Sequence, residues 1–271
     1  MLTIKNNIMS ANAARHLGQS YDDLAQSIER LSSGLRINSA KDDAAGLAVR
    51  ELMRADIAVL QQGARNALDG ISMLQTFEGA MGTIDEALVR MKQLSEQAAT
   101  GSYSTAQRAI MNSEFEEMAA EINRIAGATT FNGNTLLNSA NATISIQFGE
   151  ATTDKIDITG TDMTSSALSL NTASISTAAS AQAALATVST AITTKDTARA
   201  AFGYKMNRLE STISVINNQA ENLMAAESRI SDVDVATEMA AMTRTQVLAQ
   251  AGVAMLAQAN TMPQMALILL R

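Results

Sequence analysis

Between Ala44 and Ala99 the chain reads AAGLAVRELMRADIAVLQQGARNALDGISMLQTFEGAMGTIDEALVRMKQLSEQAA. No proline interrupts it, and Met53, Ile57, Leu60, Ala64, Ala67, Ile71, Leu74, Glu78 and Met81 follow one another in steps of four and three. That alternation is the seam of a coiled coil, which places one stripe of side chains against a partner helix. The seam then steps by only three to Ile84 before Leu88 and Met91, a stammer in the repeat. At 1.5 Å rise per residue, a helix from 44 to 99 is about 80 Å long, too long for a compact globule.

The pattern extends in both directions. Upstream, Ala14, Leu17, Tyr21, Leu24, Ile28 and Leu31 form a shorter seam. It stops at Ser32-Ser33-Gly34, a glycine C-cap signal, and Ser39 and Asp42 are then spaced like a capping box opening the second helix. Downstream, Met111, Phe115, Met118, Ile122 and Ile125 define a third helix after Gly101-Ser102. Asn132-Gly133 marks a turn with positive φ at both central positions. Ile144, Ile146 and Phe148 alternate, a polar loop runs from Gly149 to Asp154, and Ile156 and Ile158 follow, predicting a β-hairpin. Ser and Thr are dense from Ser139 to Ser174, as suits an exposed, sequence-tolerant connection.

Heptads resume near Ser176 through Leu185, Val188, Ile192, Lys195, Arg199, Phe202, Met206, Leu209, Ile213, Ile216, Ala220, Leu223, Glu227 and Ile230. Lys195 and Arg199 are charges on a seam, a costly choice that fixes register, and Glu78 is a counter-charge on the second helix. Ser231-Asp232-Val233-Asp234 places carboxylates at the start of a last helix, whose seam is Val235, Met239, Met242, Gln246, Ala249, Val253, Leu256 and Asn260. Pro263 is expected to end it.

The fold class is therefore mainly α: a long antiparallel coiled-coil helical hairpin or bundle with one small β-hairpin, its terminal helices paired as a separate unit. The divisions are 1–43, the N-terminal helix of the terminal unit; 44–138, the bundle's N-terminal part; 139–175, the hairpin connection; 176–233, the bundle's long C-terminal helix; and 234–271, the C-terminal helix of the terminal unit. Two terminal helices bury little by themselves, so they are expected to order through intersubunit packing.

Composition narrows the function. Of 271 residues, 46% are hydrophobic and only 17% charged, against roughly 25% in ordinary soluble domains, so apolar surface must be hidden against partners. With no Cys, thiol catalysis, disulfides and Cys-ligated metals are excluded. His16 stands alone, without the second histidine that paired zinc or di-iron ligands require, and reads as a surface or interface residue. Asp42-Asp43, Glu116-Glu117 and Asp232 with Asp234 are explained by helix-start electrostatics rather than acid–base chemistry. The formal charge of −7 disfavours nucleic acid. The six-residue apolar tail Met265–Leu270 is far short of a membrane span, and no cleaved secretory signal is expected before the first helix. No enzyme, cofactor or metal site is expected.

Specific residues sharpen this. The stretch from Glu29-Arg30-Leu31-Ser32-Ser33-Gly34-Leu35-Arg36-Ile37-Asn38 through Ser39-Ala40-Lys41-Asp42-Asp43-Ala44-Ala45-Gly46-Leu47-Ala48 resembles the N-terminal signature of bacterial flagellin. Arg229-Ile230-Ser231-Asp232-Val233-Asp234, Met242-Thr243-Arg244, Gln250-Ala251-Gly252, Gln258-Ala259-Asn260 and Leu269-Leu270-Arg271 resemble its C-terminus, and Phe131-Asn132-Gly133 with Leu136-Leu137 its turn before the variable region. The similarity covers about 1–138 and 176–271, leaving a short middle, so the chain resembles a minimal flagellin without large outer domains.

The resemblance implies a structural filament subunit, exported unfolded by the flagellar export apparatus and polymerised outside the cell into a helical tube for motility. It implies a secretion chaperone, junction and cap proteins as partners besides the chain itself, and terminal helices that line the filament channel. The expected polymerisation residues are Ile4, Ile8, Leu17, Leu24, Ile28, Leu31, Val235, Met239, Met242, Val253 and Leu256. The segment Leu88–Gln97 is also similar to the flagellin helix bound by the innate immune flagellin receptor of animals. The matching positions are Leu88, Arg90, Leu94, Gln97 and Glu114; Lys92 and Gln93 depart from that pattern. The alternatives are a hook–filament junction protein, which shares the terminal design, and a signalling coiled coil, which would form discrete dimers. A membrane-active amphipathic protein is disfavoured by the acidic balance.

Overall fold

A computed structural model describes residues 6–269, with side chains described through Met262. The elements are α1 (Ile8–Ser33), α2 (Ala44–Ala99), α3 (Thr105–Ala128), β1 (Thr143–Gln147), β2 (Lys155–Thr159), α4 (Ala178–Ser231) and α5 (Val235–Leu269). They form two compact units, Met1–Ala55 with Glu221–Arg271, and Asp56–Ala220. Among the described residues, no helix is long and apolar enough to cross a membrane.

In the unit Asp56–Ala220, the α2 seam turns inward. Leu74, Phe77, Met81, Ile84, Leu88 and Met91 are fully or almost fully buried, on both sides of the stammer. Phe115 and Ile122 from α3, Val188, Phe202 and Leu209 from α4, and Ile156 and Ile158 from β2 complete the same core. Each of these large side chains contributes about 1.5–3 kcal/mol by leaving water, so this core dominates the unit's stability. The strands pair antiparallel with Ile144 opposite Ile158 and Ile146 opposite Ile156. The Asn-Gly turn has the expected geometry, with φ of 49° at Asn132 and 80° at Gly133.

The charged seam positions find partners across α2 and α4. Arg199 Nη2 lies 2.9 Å from Glu78 Oε1, and the buried Lys195 Nζ lies 2.5 Å from Asp85 and 2.7 Å from Asp196. Burial pushes the Lys195 amine down, but hydrogen bonds from Nζ to Asp196 and Asp85 outweigh it and hold the group above lysine's ordinary value. Glu78 meets Arg199 while Asp85 meets Lys195, an antiparallel order that a slipped register would break.

The stretch 139–175 is more than a tolerant connection. Met163, Leu168, Leu170 and Ile175 are buried in the core. Two asparagines of α3 tie the stretch down: Asn123 Oδ1 accepts from the Ser165 backbone N–H at 2.7 Å, and Asn112 Oδ1 from the Ile175 backbone N–H at 2.9 Å. Four apolar residues scattered among Ser and Thr carry no periodicity, so the sequence pattern does not reveal their burial.

In the unit of the chain ends, α1 packs against α5. Leu17 lies over Gly252, and Arg30 Nη1 lies 3.8 Å from Glu238. The capped breaks are joined: Arg36 N–H donates to Ser231 O at 2.6 Å and Val233 N–H to Gly34 O at 3.0 Å. Gly34 takes a positive φ of 73° as the C-cap of α1.

Three local expectations are corrected. The cap of α2 is Asp43, whose Oδ1 accepts from Gly46 N–H, while Asp42 closes the preceding turn by accepting from Asn38 and Ser39. The hydrogen bonds from Ser39 hold the Asp42 carboxyl below its ordinary value. Glu116 and Glu117 sit in the middle of α3, so helix-start electrostatics does not account for them; Glu116 accepts from Asn112 at 2.7 Å instead. Lastly, α5 runs through Pro263 to Leu269. A helical proline leaves the carbonyl four residues earlier without its donor. Here that carbonyl is Ala259 O, which accepts from Asn7 Nδ2 at 2.8 Å.

Candidate assembly surface

The seams of α1 and α5 divide between two directions. On α1, Leu17, Leu24 and Leu31 are half-buried, while Tyr21 and Ile28 are about half exposed. Ala13, Ser20 and the buried Ser27 complete the inward stripe, so small and polar residues share it. On α5, Met242, Ala249, Gly252, Leu256 and Ala259 form the buried or half-buried stripe. Small residues at Ala249 and Gly252 let the helices approach, with Leu17 filling the space over the glycine. Val235, Met239 and Val253, from the same seam, remain exposed.

The expected polymerisation residues therefore fall into two groups. Leu17, Leu24, Leu31, Met242 and Leu256 are half-buried within the subunit; Ile8, Ile28, Val235, Met239 and Val253 are exposed, and Ile4 lies outside the described residues. Periodicity also passed over several exposed apolar residues of this unit: Met9, Val49, Leu52, Val247, Leu248 and Met255. For Val247, Leu248 and Met255 the signal is that apolar residues are spread over every face of α5, so no single packed stripe can cover it. An exposed apolar set of this extent makes the unit of the chain ends the candidate for an interaction surface.

Electrostatics supports the ends of these helices. Asp234 Oδ2 accepts from the Thr237 hydroxyl at 2.7 Å and Oδ1 from Ala236 N–H at 3.0 Å, which holds the carboxyl below its usual range. The buried Arg50 donates from Nη1 to Ile37 O at 2.8 Å, fixing the break before α2; no periodic pattern announces that role. His16 is exposed, and among the described residues no group of three His, Asp or Glu side chains is arranged to hold a metal ion.

The receptor-like segment is only partly at the surface. Leu88 and Leu94 are buried in the core and unavailable for direct contact. Arg90 and Glu114 are exposed and paired, Nη2 to Oε1 at 2.6 Å, and Gln97 donates to the Tyr103 hydroxyl at 2.9 Å.

Comparisons with known proteins identify the family. Residues 4–142 match the model of the bacterial flagellin N-terminal helical region, and 185–270 that of the C-terminal helical region. The chain is 42% identical to a flagellin of Halalkalibacterium halodurans and 37% identical to one of Bacillus subtilis, each over the full length of both chains. It is 39% identical to the flagellar filament 33 kDa core protein of Treponema phagedenis, again over both whole chains. A crystal structure of Bacillus cereus flagellin, 33% identical, superposes with a TM-score of 0.51 over 60% of this chain and 94% of that one. A flagellar hook-associated protein structure from Vibrio parahaemolyticus, at 14% identity and a TM-score of 0.58 over 70% of this chain and all of that one, shares the fold. Because relatives matched end to end are filament proteins, the junction and signalling alternatives are not favoured, and the chain belongs to the bacterial flagellin family as a structural subunit of the flagellar filament.

Proposed function

We propose that subunits join through the outward halves of the α1 and α5 seams, while the inward halves hold each terminal unit together. The observation that carries this reading is the exposure of Ile28, Val235, Met239 and Val253 beside half-buried seam partners. Contacts of this kind are heterologous and grow an open helical tube. Segments 1–43 and 234–271 then line the channel, 44–138 and 176–233 supply the surrounding bundle, and 139–175 lies outermost. Before assembly the same apolar faces need cover, which assigns them to a secretion chaperone, and the export apparatus passes the chain unfolded to the cell exterior. Junction and cap proteins meet these faces at the filament's two ends.

Negative-stain electron microscopy of the chain with short filament seeds, beside a version lacking residues 1–40 and 235–271, tests the reading. Filaments from the full chain and none from the trimmed, still-helical one are expected; a full chain that remains a discrete dimer would refute it. The paired, exposed Arg90 and Glu114, with Gln97, favour a second role as an immune-receptor contact, with Leu88 and Leu94 supporting the helix from inside. Loss of the receptor response on Arg90→Ala, with the fold intact, is the expected result; an unchanged response would remove this role.

A further inference from the structure

The chain has 16 methionines and no cysteine, so its sulfur chemistry is thioether chemistry alone. Their exposure follows the division into units. Among the described side chains, the exposed methionines are Met9, Met224, Met239 and Met255, at 64, 43, 45 and 65%, and all four belong to the unit of the chain ends. Within Asp56–Ala220, by contrast, Met73, Met81, Met91, Met111 and Met163 are buried, and Met118 and Met206 are half-buried.

Accessible thioethers react with peroxide. A two-electron transfer forms the sulfur–oxygen bond and breaks the oxygen–oxygen bond of hydrogen peroxide, whose second oxygen leaves as water; the thioether becomes a sulfoxide. The product is polar where the starting group was apolar. A sulfoxide on a face that must lose its water between subunits brings an acceptor into the contact without a partner. The core thioethers are shielded from the same reagent.

We propose that Met9, Met224, Met239 and Met255 are oxidation sites, and that peroxide acting at those on α1 and α5 blocks the subunit's assembly while its folded bundle stays intact. This rests on the terminal-unit reading of assembly given above. Met239 belongs to the outward half of the α5 seam, and Met255 lies one heptad from the exposed Leu248 on the same helix. Within a completed filament these faces are covered, so the sensitivity belongs to the free subunit and protection comes with assembly.

The experiment compares seeded elongation of untreated full-length chain, chain treated with dilute hydrogen peroxide and then freed of it, and the variant carrying Met9→Leu, Met224→Leu, Met239→Leu and Met255→Leu, treated identically. Leucine preserves volume and cannot be oxidised. Peptide mapping by mass spectrometry is expected to place oxygen at the four positions and not at Met73, Met81 or Met91, with helical circular dichroism unchanged. Elongation of the oxidised chain should fall at least about tenfold, and the leucine variant should elongate equally with or without peroxide. Unchanged elongation of a chain oxidised at all four positions overturns the inference, as does equal loss in the leucine variant. Failure of the untreated chain to elongate would instead count against the assembly reading.

Discussion

Asn7 performs two tasks with one side chain. Its Oδ1 accepts from Ser10 N–H at 3.1 Å and caps α1, while its Nδ2 donates to Ala259 O, the carbonyl that Pro263 leaves without a donor. The proline thus creates a vacancy that fixes where α1 begins along α5, and Ser10 Oγ to Asn260 Oδ1 at 2.8 Å reinforces the placement. Asn7→Ser keeps a capping oxygen but loses the amide donor, so it should cost about 1 kcal/mol in thermal unfolding followed by circular dichroism. With Pro263→Ala the helix supplies its own donor to Ala259, and the cost of Asn7→Ser should shrink by more than half. An equal cost in both backgrounds would show that the proline and the asparagine act independently. None of this was legible in the sequence. The proline rule read alone predicts a helix end, because the replacement donor lies at the opposite end of the chain.

At the scale of elements, the long seams were legible because burial in a bundle follows a fixed period, and Leu74, Met81, Leu88 and Met91 are all buried as that period requires. The hairpin was legible too, since alternation and an Asn-Gly turn are local signals. The docking of the hairpin was not. A Cβ built on Gly63 of α2 would collide with the Phe148 carbonyl oxygen, and Asn66 Nδ2 donates to Gln147 O at 2.9 Å, so α2 receives the end of β1 backbone to side. Inside a helix, glycine to alanine normally gains about 1 kcal/mol. Here the obstacle is backbone and cannot swing away, and Gly63→Ala should instead destabilise the chain by about 1–3 kcal/mol in denaturant unfolding. A stabilised variant would mean that the hairpin does not rest on α2. The division of the α1 and α5 seams escaped the sequence for a related reason: a heptad names apolar positions but not which helix covers each one, and Ser20 and Ser27 share the inward stripe with leucines.

For the whole molecule, the unequal cores of the two units set how it responds to its surroundings. The unit Asp56–Ala220 holds the extensive apolar core, whereas the unit of the chain ends relies more on caps and paired backbone. Asp234 is held below its usual range by its bonds from Thr237 and Ala236, and Asp42 by its bonds from Ser39. For a depressed carboxyl, stability is present above the unfolded value, about 3.9, and is lost as pH falls through the folded one. Asp157 and Glu121 of the other unit are held low as well, but the larger apolar core there carries the stability, so acidification below about pH 4 should loosen the terminal helices first, seen as early loss of amide-exchange protection in α5. Asp234→Asn keeps a cap that does not titrate and should flatten that response; an unchanged acid profile would exclude Asp234 as its source. Lys195, raised by its two carboxylates, keeps its charge through neutral pH and loses it as pH rises through that elevated value.

The central claim is that the outward seam residues join subunits and the inward ones do not. Seeded elongation rates of Ile28→Ser with Val253→Ser, measured by light scattering beside thermal unfolding of the monomer, test it most directly. Loss of elongation with an unchanged monomer unfolding midpoint is the predicted result. Elongation at the unsubstituted rate would contradict it and place the subunit contact elsewhere on the molecule.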